Sequence, residues 1–172
     1  METQEPGVRI IDKKGPLNNF ADRDHCLQYM AAIGLIFGQL TAEHYTDAVA
    51  KDPKIDALRD KMVVKENESF TTDYYDLEKR AIGNSIQVHF KDGTSTDRVE
   101  VQYPVGHRNR RDEGIPLMIE KFNNSLTDVF DETQAKTIRT AFEGKSKLDS
   151  MSVADFMALF AKQHAGVDSM LA

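Results

Sequence analysis

Nine consecutive residues, Asp22-Arg23-Asp24-His25-Cys26-Leu27-Gln28-Tyr29-Met30, open a segment that stays mostly apolar to Gly38. A helix that is otherwise buried should not carry this many polar groups without a use for them. His25 and Tyr29 stand four residues apart, which on one continuous helix puts an imidazole and a phenol on one face with Gln28 beside them. An imidazole shuttles protons near neutral pH, and a phenol donates a proton or a hydrogen bond to a carboxylate or enolate. The alternative is that both are core residues satisfied by backbone partners. A second group, His107-Arg108-Asn109-Arg110-Arg111, follows Pro104-Val105-Gly106 and sets three guanidinium groups within four residues. Arginine binds carboxylates through a bidentate fork, so Arg108, Arg110 and Arg111 suit a polyanionic small molecule. Here the alternative is a solvated loop with ordinary ion pairs to Asp112 and Glu113.

Other candidates carry less. Asp22, Arg23 and Asp24 could hold a carboxylate pair for acid/base work, or simply charge the first turn of a helix favourably. Tyr74 and Tyr75 lie in a polar stretch and receive no role. His44, His89 and His164 are scattered without ligand spacing, and a single cysteine, Cys26, forms neither an internal disulfide nor a Cys-x-x-Cys pair. No metal site, no cofactor and no thiol chemistry are expected. Glycine-rich phosphate loops and nucleophile elbows are absent.

The 172 residues are 40% hydrophobic and 29% charged, which fits a soluble globular chain and excludes disorder and collagen. A formal charge of −6 argues against general attraction to nucleic acid or an anionic membrane, and the basic run is the local exception. The apolar heart of the longest uncharged stretch, Met30 to Gly38, falls short of the ~20 residues of a membrane span. The first residues lack the marks of a signal or transit peptide, and cytoplasm and mitochondrial matrix both fit, because any targeting peptide is expected upstream of this sequence.

The elements that must position these groups are read from periodicity. Gly7 to Ile11 reads as a short strand, closed by Lys14-Gly15-Pro16. Asp22 or Arg23 to Gly38 reads as one helix, with Asp22 as cap and Gly38 as stop, buried on more than one side. Thr41 caps a helix through Val49, and Asp52-Pro53 opens another to Lys61. Met62 to Lys65 is expected as a strand and the residues to Lys79 as a loop. Ser85 to Lys91 and Arg98 to Tyr103 alternate around Asp92-Gly93, a β-hairpin with one face on a core. Helices are expected over Pro116 to Phe130, Glu132 to Phe142 and Val153 to His164, with Asp131 and Ser152 as caps and residues 165–172 frayed. The expected fold class is α+β. A small antiparallel sheet built on the hairpin 85–103 packs with helices in a domain of residues 1–114, and a C-terminal helical segment follows over residues 115–172.

Several blocks occur together in order: Gly15-Pro16-Leu17, Ala21 through Met30, Asp52-Pro53-x-Ile55-x-x-Leu58, Phe90-x-Asp92-Gly93-Thr94, and Tyr103-Pro104-x-Gly106-His107-Arg108-x-Arg110-Arg111-x-Glu113-Gly114-Ile115-Pro116-Leu117. Over about residues 2 to 160 the chain resembles the MmgE/PrpD family. The Gly-His-Arg-x-Arg-Arg run favours its dehydratase members over the decarboxylase and epimerase relatives. The resemblance implies a lyase of propionate breakdown that removes water from 2-methylcitrate, a tricarboxylate, without an iron–sulfur cluster. It further implies a large helical domain joined to a smaller α+β lid, with the active site between them. By motif, Tyr29 takes the place of an active-site tyrosine with His25 beside it, and His107, Arg108, Arg110 and Arg111 take the place of a family loop inferred to contact substrate. Members of the family are much longer, and this chain corresponds to the C-terminal third or so. The large domain and its catalytic aspartate, histidines and lysine have no counterpart here. Met1 therefore looks like an introduced or internal start, and no dehydratase activity is expected from the chain alone. The stripes Leu117, Phe122, Leu126, Phe130 and Phe156, Leu159, Phe160 should pack on the missing domain, or drive self-association into a homo-oligomer. A stand-alone carboxylate-binding or interaction module with the lid fold is the alternative.

Overall fold

Helix starts and stops are set by a few side chains. In the computed structural model, which describes residues 1–143 and 145–161, the chain divides into two units, residues 1–104 and 105–172. The first contains β1 (Glu2–Thr3), α1 (Glu5–Ile11), α2 (Phe20–Asp24), α3 (Leu27–Phe37), a 3-10 turn (Ala42–Tyr45), α4 (Asp47–Ala50), α5 (Pro53–Arg59), β2 (Lys65–Glu66), α6 (Glu68–Tyr75), β3 (Asn84–Ile86) and β4 (Val99–Val101). The second contains a 3-10 turn (Arg108–Arg110), α7 (Arg111–Val129), α8 (Glu132–Phe142), α9 (Lys145–Ser150) and α10 (Val153–Leu159). The α+β class holds.

Asp52 accepts the Lys54 N–H at 2.9 Å with Pro53 in the first turn, and Asp131 accepts the Gln134 N–H at 2.9 Å, so α5 and α8 start where the sequence signals a cap. Gly38 closes α3 in the left-handed region at φ 73°, a conformation glycine adopts without a Cβ penalty. Elsewhere the expectation changes. The segment expected as a strand over residues 7–11 is α1, whose start is fixed by Gln4 in extended conformation and Pro6 in the first turn. The strand lies just before it. The expected loop before Lys79 contains α6, capped by Asn67 and tied to α1 where the Glu5 N–H donates to Thr71 Oγ1 at 2.9 Å. The expected strand at Met62 to Lys65 shrinks to Lys65–Glu66.

The four strands run β2-β1-β3-β4. The pairing of β1 with β2 is parallel, so the sheet is mixed rather than antiparallel, while β1 with β3 and β3 with β4 are antiparallel. The hairpin forms around Asp92-Gly93, but its strands shrink from the expected 85–91 and 98–103 to Asn84–Ile86 and Val99–Val101, with Ser85 opposite Glu100 and an isolated bridge between His89 and Ser95. Its apolar face is buried only in part: Ile86, Val88 and Tyr103 are half-buried, whereas Phe90, Val99 and Val101 are exposed.

The core of the first unit is Cys26, Tyr29, Ala32 and Ile33 against Ile55, with Tyr45, Leu58 and Met62 packed around it. α3 buries one face only. Leu35 is 53% exposed, contrary to the expected burial on several sides. In the second unit Leu126, Ala135 and Ile138 form the core with Phe122, Phe130, Leu159 and Phe160. Most of the stripe expected to need an outside partner is therefore used within the unit, whereas Leu117 stays exposed. α7 begins five residues before Pro116 and carries that proline inside the helix. Its first turn holds Asp112 and Glu113, favourable at a helix N-terminus, and Gly114, where a Cβ would lie 2.4 Å from the Val105 carbonyl oxygen. α10, expected to reach His164, ends at Leu159 with Phe160 as its C-cap, and the expected fraying of 165–172 lies outside the described residues.

The two faces of α3 predict opposite costs. Ile33→Ala, at a fully buried position, should destabilise the first unit by about 2–5 kcal/mol, while Leu35→Ala should stay within about 0.5 kcal/mol. Denaturant unfolding of both variants checks this, and equal losses would contradict the one-sided burial.

Candidate functional site

His25 and Tyr29 do not share a helical face, because the chain breaks between them. α2 ends at Asp24 with His25 as its C-cap, and Cys26 in extended conformation caps α3. The cap of α2 is Asn19, which accepts the Asp22 N–H at 2.9 Å, so Asp22 sits inside the first turn rather than before it. Asp22 also takes Lys13 Nζ at 2.8 Å, and Asp24 takes His25, so the two carboxylates serve different partners. The break separates environments as well as faces.

Tyr29 is 2% exposed. Its hydroxyl donates to the His44 carbonyl at 2.6 Å, and its ring stacks with Tyr45 at 6.1 Å. Burial pushes the phenol above its usual ionisation range against the opposing pull of Arg23. It is a neutral, occupied donor. The His25 side chain is 60% exposed, and its Nδ1 lies 2.5 Å from Asp24 Oδ1. A carboxylate on one ring nitrogen orients an imidazole and leaves the other for a reactant. His25 with Asp24 is therefore an exposed pair with a geometry that suits proton transfer, and Tyr29 a sealed anchor for the His44 loop.

In the second unit the basic run forms a 3-10 turn leading into α7. His107 caps it, its Nδ1 accepting the Asn109 N–H at 3.1 Å, which leaves the proton of a neutral ring on Nε2. Arg110 donates to Glu113 through Nε at 3.1 Å and Nη2 at 2.6 Å. That bond holds the guanidinium more firmly charged and keeps the Glu113 carboxyl below its usual range. Arg108 and Arg111 are exposed.

Two clefts in the first unit were not anticipated. One, of about 490 Å³, has Leu58, Met62, Ile86 and Val88 in its lining with Glu2 and Arg98 among them. The other, of about 340 Å³, is lined by Lys13, Lys14, Gly15, Gln28, Arg59 and Asp60. Lys13-Lys14 ahead of Gly15-Pro16 was the available sequence signal for the second. Arg59 gave none, since only tertiary structure shows a helix-end arginine turned inward. Among the described residues, no group of three or more His, Cys, Asp or Glu is placed to hold a metal ion, and no helix is long and apolar enough to cross a membrane.

Residues 1–146 match the family model of the MmgE/PrpD C-terminal domain. The chain is 50% identical over 163 residues to the mitochondrial 2-methylcitrate dehydratase of Yarrowia lipolytica, covering 95% of this chain and 31% of that protein. It is 51% identical to the 2-methylcitrate dehydratase of Salmonella typhimurium, over 93% of this chain and 33% of that protein, and 49% identical to the enzyme of that name from Escherichia coli with the same coverage. The chain thus spans about a third of the length of the curated relatives it matches, and it belongs to the MmgE/PrpD C-terminal domain family.

The environment of Tyr29 predicts an alkaline limit. The unfolded phenol ionises near pH ~10 and the buried one only above that, so the unfolded state sheds its proton first and stability falls as pH rises past the unfolded value. Tyr29→Phe should lower stability at neutral pH by about 0.5–1.5 kcal/mol, because the His44 carbonyl loses its donor. It should also flatten the alkaline loss, with Tyr45, likewise raised by burial, keeping part of it. Chemical unfolding across pH 8 to about 11 measures both effects.

Proposed function

We propose that this member of the MmgE/PrpD C-terminal domain family forms the C-terminal, lid-type part of an enzyme that removes water from 2-methylcitrate to give 2-methyl-cis-aconitate, and that it does not catalyse this alone. The observation that carries the reading is identity of about 50% to three proteins named for that dehydration, along nearly the whole of this chain. His25, Tyr29 and the basic run all fall within residues 1–146, which match the family model. Two thirds of the relatives' length has no counterpart here, which supports a chain that does not act alone.

The reaction takes a proton from a carbon next to a carboxylate and expels the neighbouring hydroxyl as water. It therefore needs proton carriers and cations to hold carboxylates. His25, oriented by Asp24 and open to solvent, is the residue of this chain fitted to hold or move a proton. Tyr29 positions the loop at His44 through its hydroxyl rather than touching substrate. Arg108 and Arg111 are exposed for carboxylate binding, His107 braces their turn, and Arg110 reaches a carboxylate by exchanging Glu113 for it. Exposed Ile115, Leu117, Met118 and Ile119 on α7 support a chain that works against further polypeptide.

The test is elimination measured by the ultraviolet absorbance of the conjugated product. The 172-residue chain alone should give none, and co-expression with the other two thirds of a 2-methylcitrate dehydratase should restore turnover. In the restored enzyme, His25→Gln should lower kcat by about 10²–10⁴-fold with a changed pH profile, and Tyr29→Phe should act far less. Full activity from the chain alone, or none from the pair, would refute the reading.

A further inference from the structure

The sheet of the first unit leaves backbone hydrogen bonds unmade on both sides of the 490 Å³ cleft. Successive residues of a strand direct their N–H and C=O groups to opposite sides. The Val88 carbonyl accepts the Thr96 N–H at 2.9 Å, on the side of β4, so Gln87 and His89 direct their backbone groups to the side where β1 pairs with Ser85. Those groups have no hydrogen-bond partner among the described residues. Across the cleft the same holds for the Val63 N–H, whereas the Val63 carbonyl accepts from the Met1 amino group at 2.9 Å and the Met1 carbonyl accepts from the Lys65 N–H at 3.1 Å. Met1, Val63, Gln87 and His89 all line the cleft. Alternating backbone donors and acceptors at strand spacing recognise another backbone, by strand addition, rather than a small molecule.

Register fixes what fits between the two sides. Glu2 stands opposite Ser85 in an antiparallel pair, so Met1 falls opposite Ile86, and residues ahead of Met1 on the same line fall opposite Gln87, Val88 and His89 in turn. At about 3.4 Å per residue such a segment spans about 10 Å. The residue next to Met1 then exchanges hydrogen bonds with Gln87, and the one before it offers its carbonyl to the Val63 N–H. Side chains alternate in the same way. Glu2 takes Ser85 Oγ at 3.2 Å and Arg98 at 2.8 Å, with Lys65 in register beside it, so the residue next to Met1 shares the face of Glu2 and Lys65. Lys65 is exposed and forms no ion pair among the described residues, which favours an acidic partner there. The residue before that shares the opposite face with Ile86 and Val88, and Leu35, Leu58 and Met62 line the same cleft, which favours an apolar side chain. We propose that this cleft receives an extended segment of polypeptide joined to Met1, which continues β1 by about three residues with an apolar side chain in the middle and an acidic one next to Met1. The proposal rests on the reading of this chain as the C-terminal part of a longer enzyme, whose relatives are about three times its length.

The test extends the 172-residue chain at its N-terminus with Thr-Val-Glu and compares amide hydrogen exchange and denaturant midpoint with those of the unextended chain. The Gln87 and Val63 amides should exchange at least about tenfold more slowly in the extended chain, and the midpoint should rise. A Thr-Val-Pro extension, which cannot donate to the Gln87 carbonyl, and a Thr-Asp-Glu extension, which sets a charge on the apolar face, should each lose most of that protection. No slowing with Thr-Val-Glu, equal slowing with all three extensions, or slowing confined to Val99 to Val101 at the β4 edge would each overturn the proposal. So would a dimer of the unextended chain whose Gln87 and Val63 amides lose protection on dilution, because a second copy would then fill the cleft. The readout is sheet pairing rather than turnover. A failed elimination assay with protected amides refutes the lyase reading alone, and restored turnover with unprotected amides refutes the strand alone.

Discussion

Two guanidinium groups, those of Arg23 and Arg59, are more than nine-tenths buried around α3, and a charge in a protein interior persists only when it is paired and hydrogen-bonded. Arg23 meets that demand by donating to the Tyr45 carbonyl and to Asp47, each at 2.7 Å. Arg59 meets it by donating to the Gly15 carbonyl and to Asp56. Each arginine thereby reaches across the sequence and fixes a loop that has little regular structure of its own. Tyr29 adds a third tie, since its hydroxyl holds the His44 carbonyl one residue before the carbonyl taken by Arg23. The loops near residues 12–17 and 41–47 are therefore positioned by polar bonds radiating from the same core.

What could be read from the sequence follows from this division of labour. Where a local backbone rule decides, the sequence suffices: Asp52-Pro53 opens α5, Asp131 caps α8, Gly38 ends α3, and Asp92-Gly93 turns the hairpin. Where tertiary packing decides, it does not. Val8, Ile10 and Ile11 alternate like a strand, yet they lie in a helix started by Pro6 and tied at Glu5 to the helix Glu68–Tyr75, itself too polar to announce a buried face. The break after Asp24 was hidden because Asp22 to Gly38 is a credible helical pattern throughout. The inward turn of Arg59 leaves no trace in a periodicity. Family resemblance succeeded where periodicity failed because it depends on residue order alone.

The same reasoning explains why the two motif residues four apart end with different capacities. Proton transfer requires a group that is reachable and not already committed, whereas a positioning role requires the reverse. The helix break supplies both conditions within five residues. It leaves the imidazole at the surface with a carboxylate on one nitrogen, and sends the phenol inward to a backbone carbonyl that would otherwise lack that donor. A continuous helix would have aligned the two groups and buried or exposed them together.

Charge in the rest of the chain is sorted by the same criterion. Arg23 and Arg59 are engaged with backbone and carboxylate inside the first unit, and Arg110 is paired with Glu113 at the surface. Lys14, Arg108 and Arg111 are exposed, and in a chain of net charge −6 exposed cations held on braced segments mark where an anion would gain most. Lys14 stands on a loop pinned at both ends, and Arg108 and Arg111 stand at the start of a 19-residue helix whose entry is fixed by His107 and by the close approach of Gly114 to Val105. A cation on such a frame loses less conformational freedom on meeting a carboxylate than one on a free chain end, so the bracing of these positions counts for more than the number of basic residues.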